Sequence, residues 1–150
     1  MANGGLAILV GEPVSAVAFA MRPAVHAANV RLKRAYEPPA PDDGQRILID
    51  RLWPRGVSKA EAGLDQWMKQ IAPSAALRTW FNHDPRRWDE FRRRYRGELE
   101  RNAGELAELR DLARNGRVTL VYAARDEAHN DAVVLRDFLL GRSGDEGACR

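Results

Sequence analysis

The residues best equipped for chemistry stand just past two apolar runs. Asp50-Arg51-Leu52-Trp53-Pro54-Arg55-Gly56 follows Ile47-Leu48-Ile49, and Arg125-Asp126-Glu127-Ala128-His129-Asn130 follows Val118-Thr119-Leu120-Val121-Tyr122-Ala123-Ala124. In the first segment Arg51 and Arg55 offer planar forks that clamp phosphate or carboxylate oxygens, and Trp53 offers an indole face for a ring to stack on. Pro54 stiffens the segment, and Gly56 lets a backbone or ligand approach closely. In the second, Arg125 adds a further fork, Asp126 has the chemistry of a general base, and Asn130 can orient a polar group or cap a helix whose N-terminus favours anions. His83-Asp84 adds an imidazole, so His83 or Asp126 is the expected proton carrier. The competing structural account makes Asp50, Arg51, Arg125 and Asp126 a charge cluster that locks two strand ends together.

Other chemistries find little support. No His-x-x-x-His or comparable spacing accompanies His83 and Asp84, so no metal site is expected. Ser58 and Ser74 lack a nucleophile elbow and fit helix caps. Neither a Walker pattern nor Gly-x-Gly-x-x-Gly occurs, so there is no glycine-rich phosphate loop, and the cofactor is left open by the sequence. Cys149 is the only cysteine, which leaves no internal disulfide and fits a reducing cytoplasm. Of 24 basic residues only Lys33, Lys59 and Lys69 are lysines, so the basic character is almost wholly guanidinium; the net charge of +3 is small for a dedicated nucleic-acid binder. Arg86, Arg87, Arg92, Arg93, Arg94 and Arg96 form a run interleaved with Asp89, Glu90 and Glu98, either a solvated helix face or an alternative nucleic-acid surface.

The elements that position these groups are read from periodicity. The length of 150 residues suits one domain. Residues 1–28 lack a clear period and read as a loose N-terminal extension, with Met21 a possible true start; the interrupted apolar stretch Leu6 to Ala20 has no basic residue before it and is not read as a signal peptide. No uninterrupted apolar run is long enough for a membrane span. The folded unit is expected over residues 29–140, and 141–150 reads as a flexible tail. Val30 to Tyr36 partly alternates as a strand, and Glu37 to Gly44 is a Pro/Asp/Gly loop too short for a helical crossover. Ser58-Lys59-Ala60-Glu61 has capping-box spacing, while Asp65 to Ile71 fits helix or strand. Pro73-Ser74 opens a helix through Phe81, and Asp84 with Pro85 opens a longer one carrying Trp88, Phe91, Tyr95 and Leu99 on its inner face. Leu106, Leu109 and Leu112 continue the pattern to Asn115-Gly116, which has left-handed cap chemistry. Val118 to Ala124 reads as a strand covered on both faces, and Asn130 as the cap of a last helix. The fold class is therefore α/β, a small single domain with a few-stranded, mostly parallel sheet flanked by helices. In such a sheet ligands gather outside the strands' carboxyl ends.

The two strand-end segments, with Ala72-Pro73-Ser74, Trp80-Phe81, His83-Asp84-Pro85, Phe91 and Arg94-Tyr95, give the chain a resemblance to the YeaO-like bacterial proteins, a branch of the family catalogued as domain of unknown function 488. It covers about residues 30–140. It implies a small, single-domain cytoplasmic α/β protein and brings no established activity. Residues 1–20 depart from the family's usual start, which favours Met21 as the beginning. The function expected from the residues themselves is binding or turnover of an anionic small molecule such as a nucleotide, held by Arg51, Trp53, Arg55, Arg125 and Asn130. The different-class alternatives are nucleic-acid association through residues 86–96 and a non-catalytic interaction module. Whether the protein is an enzyme does not follow from its sequence.

Overall fold

A computed structural model of the chain describes residues 25–142. The proposed start at Met21, most of the N-terminal extension and all but the first two residues of the tail lie outside the described residues. Within them, Ala27–Asn29 form a 3-10 turn, and the Asn29 side chain donates to the Ala113 carbonyl at 2.8 Å.

Four strands, β1 (Val30–Arg34), β2 (Gln45–Leu48), β3 (Gln66–Trp67) and β4 (Val118–Tyr122), make one sheet in the order β1-β4-β2-β3. Each neighbouring pair is parallel, with Val30 opposite Val118 and Leu48 opposite both Val121 and Trp67. β4, apolar throughout, is buried along its whole length. Alternation sends Val118, Leu120 and Tyr122 to one face with Val30, Ile47 and Ile49, where they join the helices in the main core. Leu48 and Val121 point the other way, into a smaller cluster with Ala35, Trp53, Leu64 and Trp67.

The connection from β1 to β2 has no α-helix, as its length requires, yet it returns the chain parallel and two positions along the sheet, leaving the place between for β4. A 3-10 turn at Pro41–Asp43 and a glycine make this possible. Gly44 has φ +66°, and a Cβ there would lie 2.1 Å from the Arg117 carbonyl oxygen, so only glycine fits. The turn is anchored by Asp43, 1% exposed, whose carboxylate accepts from Arg46 at 2.7 Å, Lys33 at 3.0 Å and the Ala40 N–H at 3.0 Å. Arg46, itself 3% exposed, spends its other donors on the Ala62 and Gly63 carbonyls.

Five α-helices occur among the described residues: α1 (Lys59–Ala62), α2 (Ala75–Phe81), α3 (Trp88–Glu100), α4 (Ala103–Asn115) and α5 (Asp131–Leu139). Ser58, Ser74 and Asn130 cap α1, α2 and α5. Phe91, Tyr95 and Leu99 face the core from α3, and the Tyr95 hydroxyl donates to the Ile71 carbonyl at 2.7 Å. Ser74 does more than cap: its hydroxyl donates to Glu98 at 2.6 Å and accepts from the Leu77 N–H, tying α2 to α3. Ser74→Ala is expected to cost about 1–2 kcal/mol in urea unfolding, the ordinary value for a lost cap; a loss within error of zero would show that the Glu98 link is idle.

Three local expectations are corrected. Gly116 is extended at φ 174° rather than left-handed, because β4 begins two residues later and the chain must already be straight; the Asn115 side chain instead donates to the Asp111 carbonyl. Asp84 and Pro85 begin a 3-10 turn, and the α-helix takes over only at Trp88. The last strand stops at Tyr122 rather than Ala124, since the Ala123 N–H turns to a side chain. The open reading of Asp65 to Ile71 resolves into the two-residue β3 and a 3-10 turn at Lys69–Ile71.

Candidate functional site

Because β2 and β4 are parallel neighbours, the segments that follow them emerge side by side at the same edge of the sheet. Between them lies a cavity of about 690 Å³, a volume in the usual range for small-molecule sites. Its wall takes in Asp50 to Arg55 from the loop after β2, Ala123 to Asp126 and His129 to Asp131 from the loop after β4, and Arg78, Phe81 and His83 from the end of α2.

Two carboxyl groups meet at its floor. Asp50 ends the β2 segment and Asp131 opens α5, and their side chains are in hydrogen-bond contact. Two carboxylates in such contact cannot both be ionised, so the pair holds a proton between them. Burial is the first reason that both titrate above the ordinary carboxylate range, Asp131 well above it and helped there by the Asp50 charge. For Asp50, the contact with Asp131, the Ala123 N–H at 2.9 Å and the charges of His83 and Arg78 pull the other way without cancelling the effect. The Tyr95 hydroxyl beneath is pushed up by burial and by the same two aspartates.

The mouth is cationic. Arg55, Arg78 and Arg125 are exposed and line the cavity, and among the described residues none of their guanidinium groups has a hydrogen bond or an ion pair. Arg51 also lines it, but its Nε donates to the Pro73 carbonyl at 3.1 Å and one terminal nitrogen to the Ala72 carbonyl at 3.4 Å. Gly56, at φ +77°, turns the chain beyond Arg55, and the Tyr36 hydroxyl holds the Arg55 carbonyl at 3.1 Å. His83 stands in the wall at φ +53°, next to Asn82 at +48°, an unfavourable backbone conformation for two successive non-glycine residues.

The remaining residues singled out in the sequence have partners of their own. Trp53 borders the cavity, but its ring packs edge-on to Trp67 at 5.4 Å and its Nε1 donates to the Val57 carbonyl. Asp126 accepts from the N–H groups of Ala128 and His129 and lies 2.9 Å from His129 Nδ1. Burial alone would raise its carboxyl, but these donors outweigh it and hold the group below the ordinary range, which makes it a weak base. Asn130, 2% exposed, spends its amide on the Asp126 carbonyl and its oxygen on the Val133 N–H. Asp50 is not ion-paired with Arg51 or Arg125; it faces Asp131. That partner was missed in the sequence because an acidic residue in the first turn of a helix looks like an ordinary complement to the helix dipole.

Away from the cavity, the arginines of the basic run are held locally: Arg86 and Arg87 by Asp84, Arg92 by Asp89, Arg93 and Arg94 by Glu90, and Arg96 by the Arg142 carbonyl. Among the described residues no three His, Cys, Asp or Glu side chains converge as metal ligands, and no helix is long and apolar enough to cross a membrane.

Sheet, helices and cavity together define a small α/β protein with a crevice at the ends of adjacent parallel strands. The chain belongs to the domain-of-unknown-function 488 family: the model described as the inactive DUF488-N3 subclade matches residues 29–148. It is 48% identical to an uncharacterised protein of Mycobacterium tuberculosis over 118 residues, 79% of this chain and 99% of that one. It is 42% identical to the uncharacterised protein YeaO of Escherichia coli over 111 residues, 74% of this chain and 96% of that one. No solved structure matches it.

Proposed function

We propose that the strand-end cavity binds an anionic small molecule, a nucleotide or another phosphate compound, with Arg55 and Arg125 as its principal anchors. The observation that carries this reading is the set of three guanidinium groups, Arg55, Arg78 and Arg125, exposed around one cavity, none of them ion-paired among the described residues and only Arg78 facing the charge of a cavity aspartate, Asp50. Like charges gathered in this way repel one another, and a multivalent oxyanion relieves that repulsion while filling their forks. Arg51, half engaged by backbone carbonyls, sets the shape of the rim, and Trp53 and Asn130 hold the loops that carry the anchors. The description of the matched family as an inactive subclade supports binding rather than turnover. Asp126 and His83, the candidate proton carriers, then serve as polar contacts. The arginines from Arg86 to Arg96 each have a local acidic or carbonyl partner, so the nucleic-acid alternative gains no support of its own.

Thermal melts of the full chain with inorganic phosphate and nucleoside monophosphates test the proposal. A ligand present at a hundred times its dissociation constant adds about 2.7 kcal/mol of apparent stability. Arg55→Ala is expected to abolish that gain while leaving the ligand-free melting temperature in place, since the replaced side chain is exposed and unbonded. A gain of equal size in the variant would refute the assignment.

A further inference from the structure

The cavity is larger and more polarised than an inorganic anion requires. Its volume is roughly twenty times the share of one water molecule in the liquid. Arg55 and Arg125 are exposed at its mouth, whereas the two aspartates in its lining are half-buried, with Arg78 and His83 lending positive charge to Asp50. A phosphate pushed to the floor would meet like charge, and one held at the mouth would leave the floor unused.

The floor has acceptors to offer. One Asp50 oxygen takes the Ala123 N–H, the Asp131 carboxyl takes its own N–H and that of Ala132, and the two carboxyl groups meet each other, but a carboxylate pair has more lone pairs than these contacts consume. Ligand hydroxyls suit them: they donate hydrogen bonds, carry no charge for the arginines to repel, and are what a carboxylate at the end of a parallel strand holds when it binds a ribose. Building on the anion-binding reading above, we propose that the ligand is a sugar phosphate or ribonucleotide, its phosphate at Arg55 and Arg125 and its sugar hydroxyls on Asp50 and Asp131.

Titration calorimetry on the full chain with inorganic phosphate, ribose 5-phosphate and 2-deoxyribose 5-phosphate distinguishes the two readings. Ribose 5-phosphate is expected to bind at least about tenfold tighter than inorganic phosphate, as one or two hydrogen bonds to a charged acceptor provide, with the deoxy sugar in between. Asp131→Asn should collapse that ratio towards one while leaving phosphate itself bound as tightly or more so. Asp50→Asn, which keeps an oxygen for the Ala123 N–H, should do the same, and melts of both variants establish that they are folded. A ratio near one in the natural chain, or a ratio that survives both variants, would overturn the proposal and leave the anion site standing. Absence of binding by all three compounds would overturn both.

Discussion

Replacing Asp131 by asparagine is expected to make the protein more stable at pH 7 and to flatten its stability between pH 4 and pH 8. The side chain sits against Asp50, near Tyr95 of α3, with Arg78 of α2 and His83 just beyond that helix contributing positive charge to Asp50. Burial and the neighbouring carboxyl push it well above the ordinary aspartate range. Between the ordinary aspartate value and its own raised one, the folded state holds a proton that the unfolded state has released. Stability from this group is therefore complete below the unfolded value and falls as pH rises through the folded one, with a slope of up to about 1.4 kcal/mol per pH unit. Asparagine keeps the shape and can bond to Asp50 without a proton to lose. The gain at pH 7 is expected to exceed about 1 kcal/mol, or roughly 3–6 °C in melting temperature. Urea unfolding of both proteins across this range measures it. A variant less stable at pH 7, or one with the parent's slope, would show that the pair is not strained. A gain coupled to loss of ribose 5-phosphate binding would mark the pair as kept for a ligand at a cost in stability.

The second large effect lies on the opposite face of the sheet. Asp43→Ala is expected to destabilise the fold by about 3–5 kcal/mol, because it leaves the buried Arg46 guanidinium without its counter-charge and releases Lys33. Replacing Arg46 by methionine in the same chain should recover a good part of the loss, since an uncompensated charge costs more than an apolar substitute. Burial pushes the Asp43 carboxyl up, but donors from Lys33, Ala40 and Arg46 outweigh it and bring it down to about 2. Its contribution is thus present above the ordinary aspartate value and lost as pH falls towards 2, on the order of 2 kcal/mol in all. Equilibrium unfolding in urea measures both effects; a loss under about 1 kcal/mol would mean that water or a rearranged Lys33 replaces the carboxylate. Asp43 and Asp131 thus tilt stability in opposite directions, one against acid and the other against base.

Local signals carried the secondary structure well where one residue type has one job. The capping box at Ser58, the caps at Ser74 and Asn130, and the inward-facing stripe Phe91, Tyr95 and Leu99 are all found as the spacing predicts. Signals failed where the neighbour decides. Gly116 offers a left-handed cap to the helix before it, but the strand after it needs an extended residue. Trp53 reads as a platform for a ligand until Trp67, brought alongside by the pairing of β2 with β3, takes its ring. At the cavity, the crevice was legible because two apolar runs each end in charge, and a parallel pairing of β2 and β4 puts those ends together. The meeting of Asp50 with Asp131 was not: each is unremarkable in its own segment, and only the fold turns two ordinary acids into one proton-sharing pair.

The strand order has a consequence for how the molecule comes into being. β4 joins β1 to β2, since those two strands never pair with each other, and it is the last strand to leave the ribosome. Until Val118–Tyr122 has been made, β2 can pair only with the two residues of β3, and β1 has no partner at all. The nascent chain must therefore keep β1 and one edge of β2 unpaired in solution, with helices α1 to α4 and the short β2–β3 pairing as the regular structure able to form in the meantime. Sheet formation becomes an event of completion rather than of gradual growth, which places this small domain among the slower folders for its size and makes it dependent on an undisturbed C-terminal third.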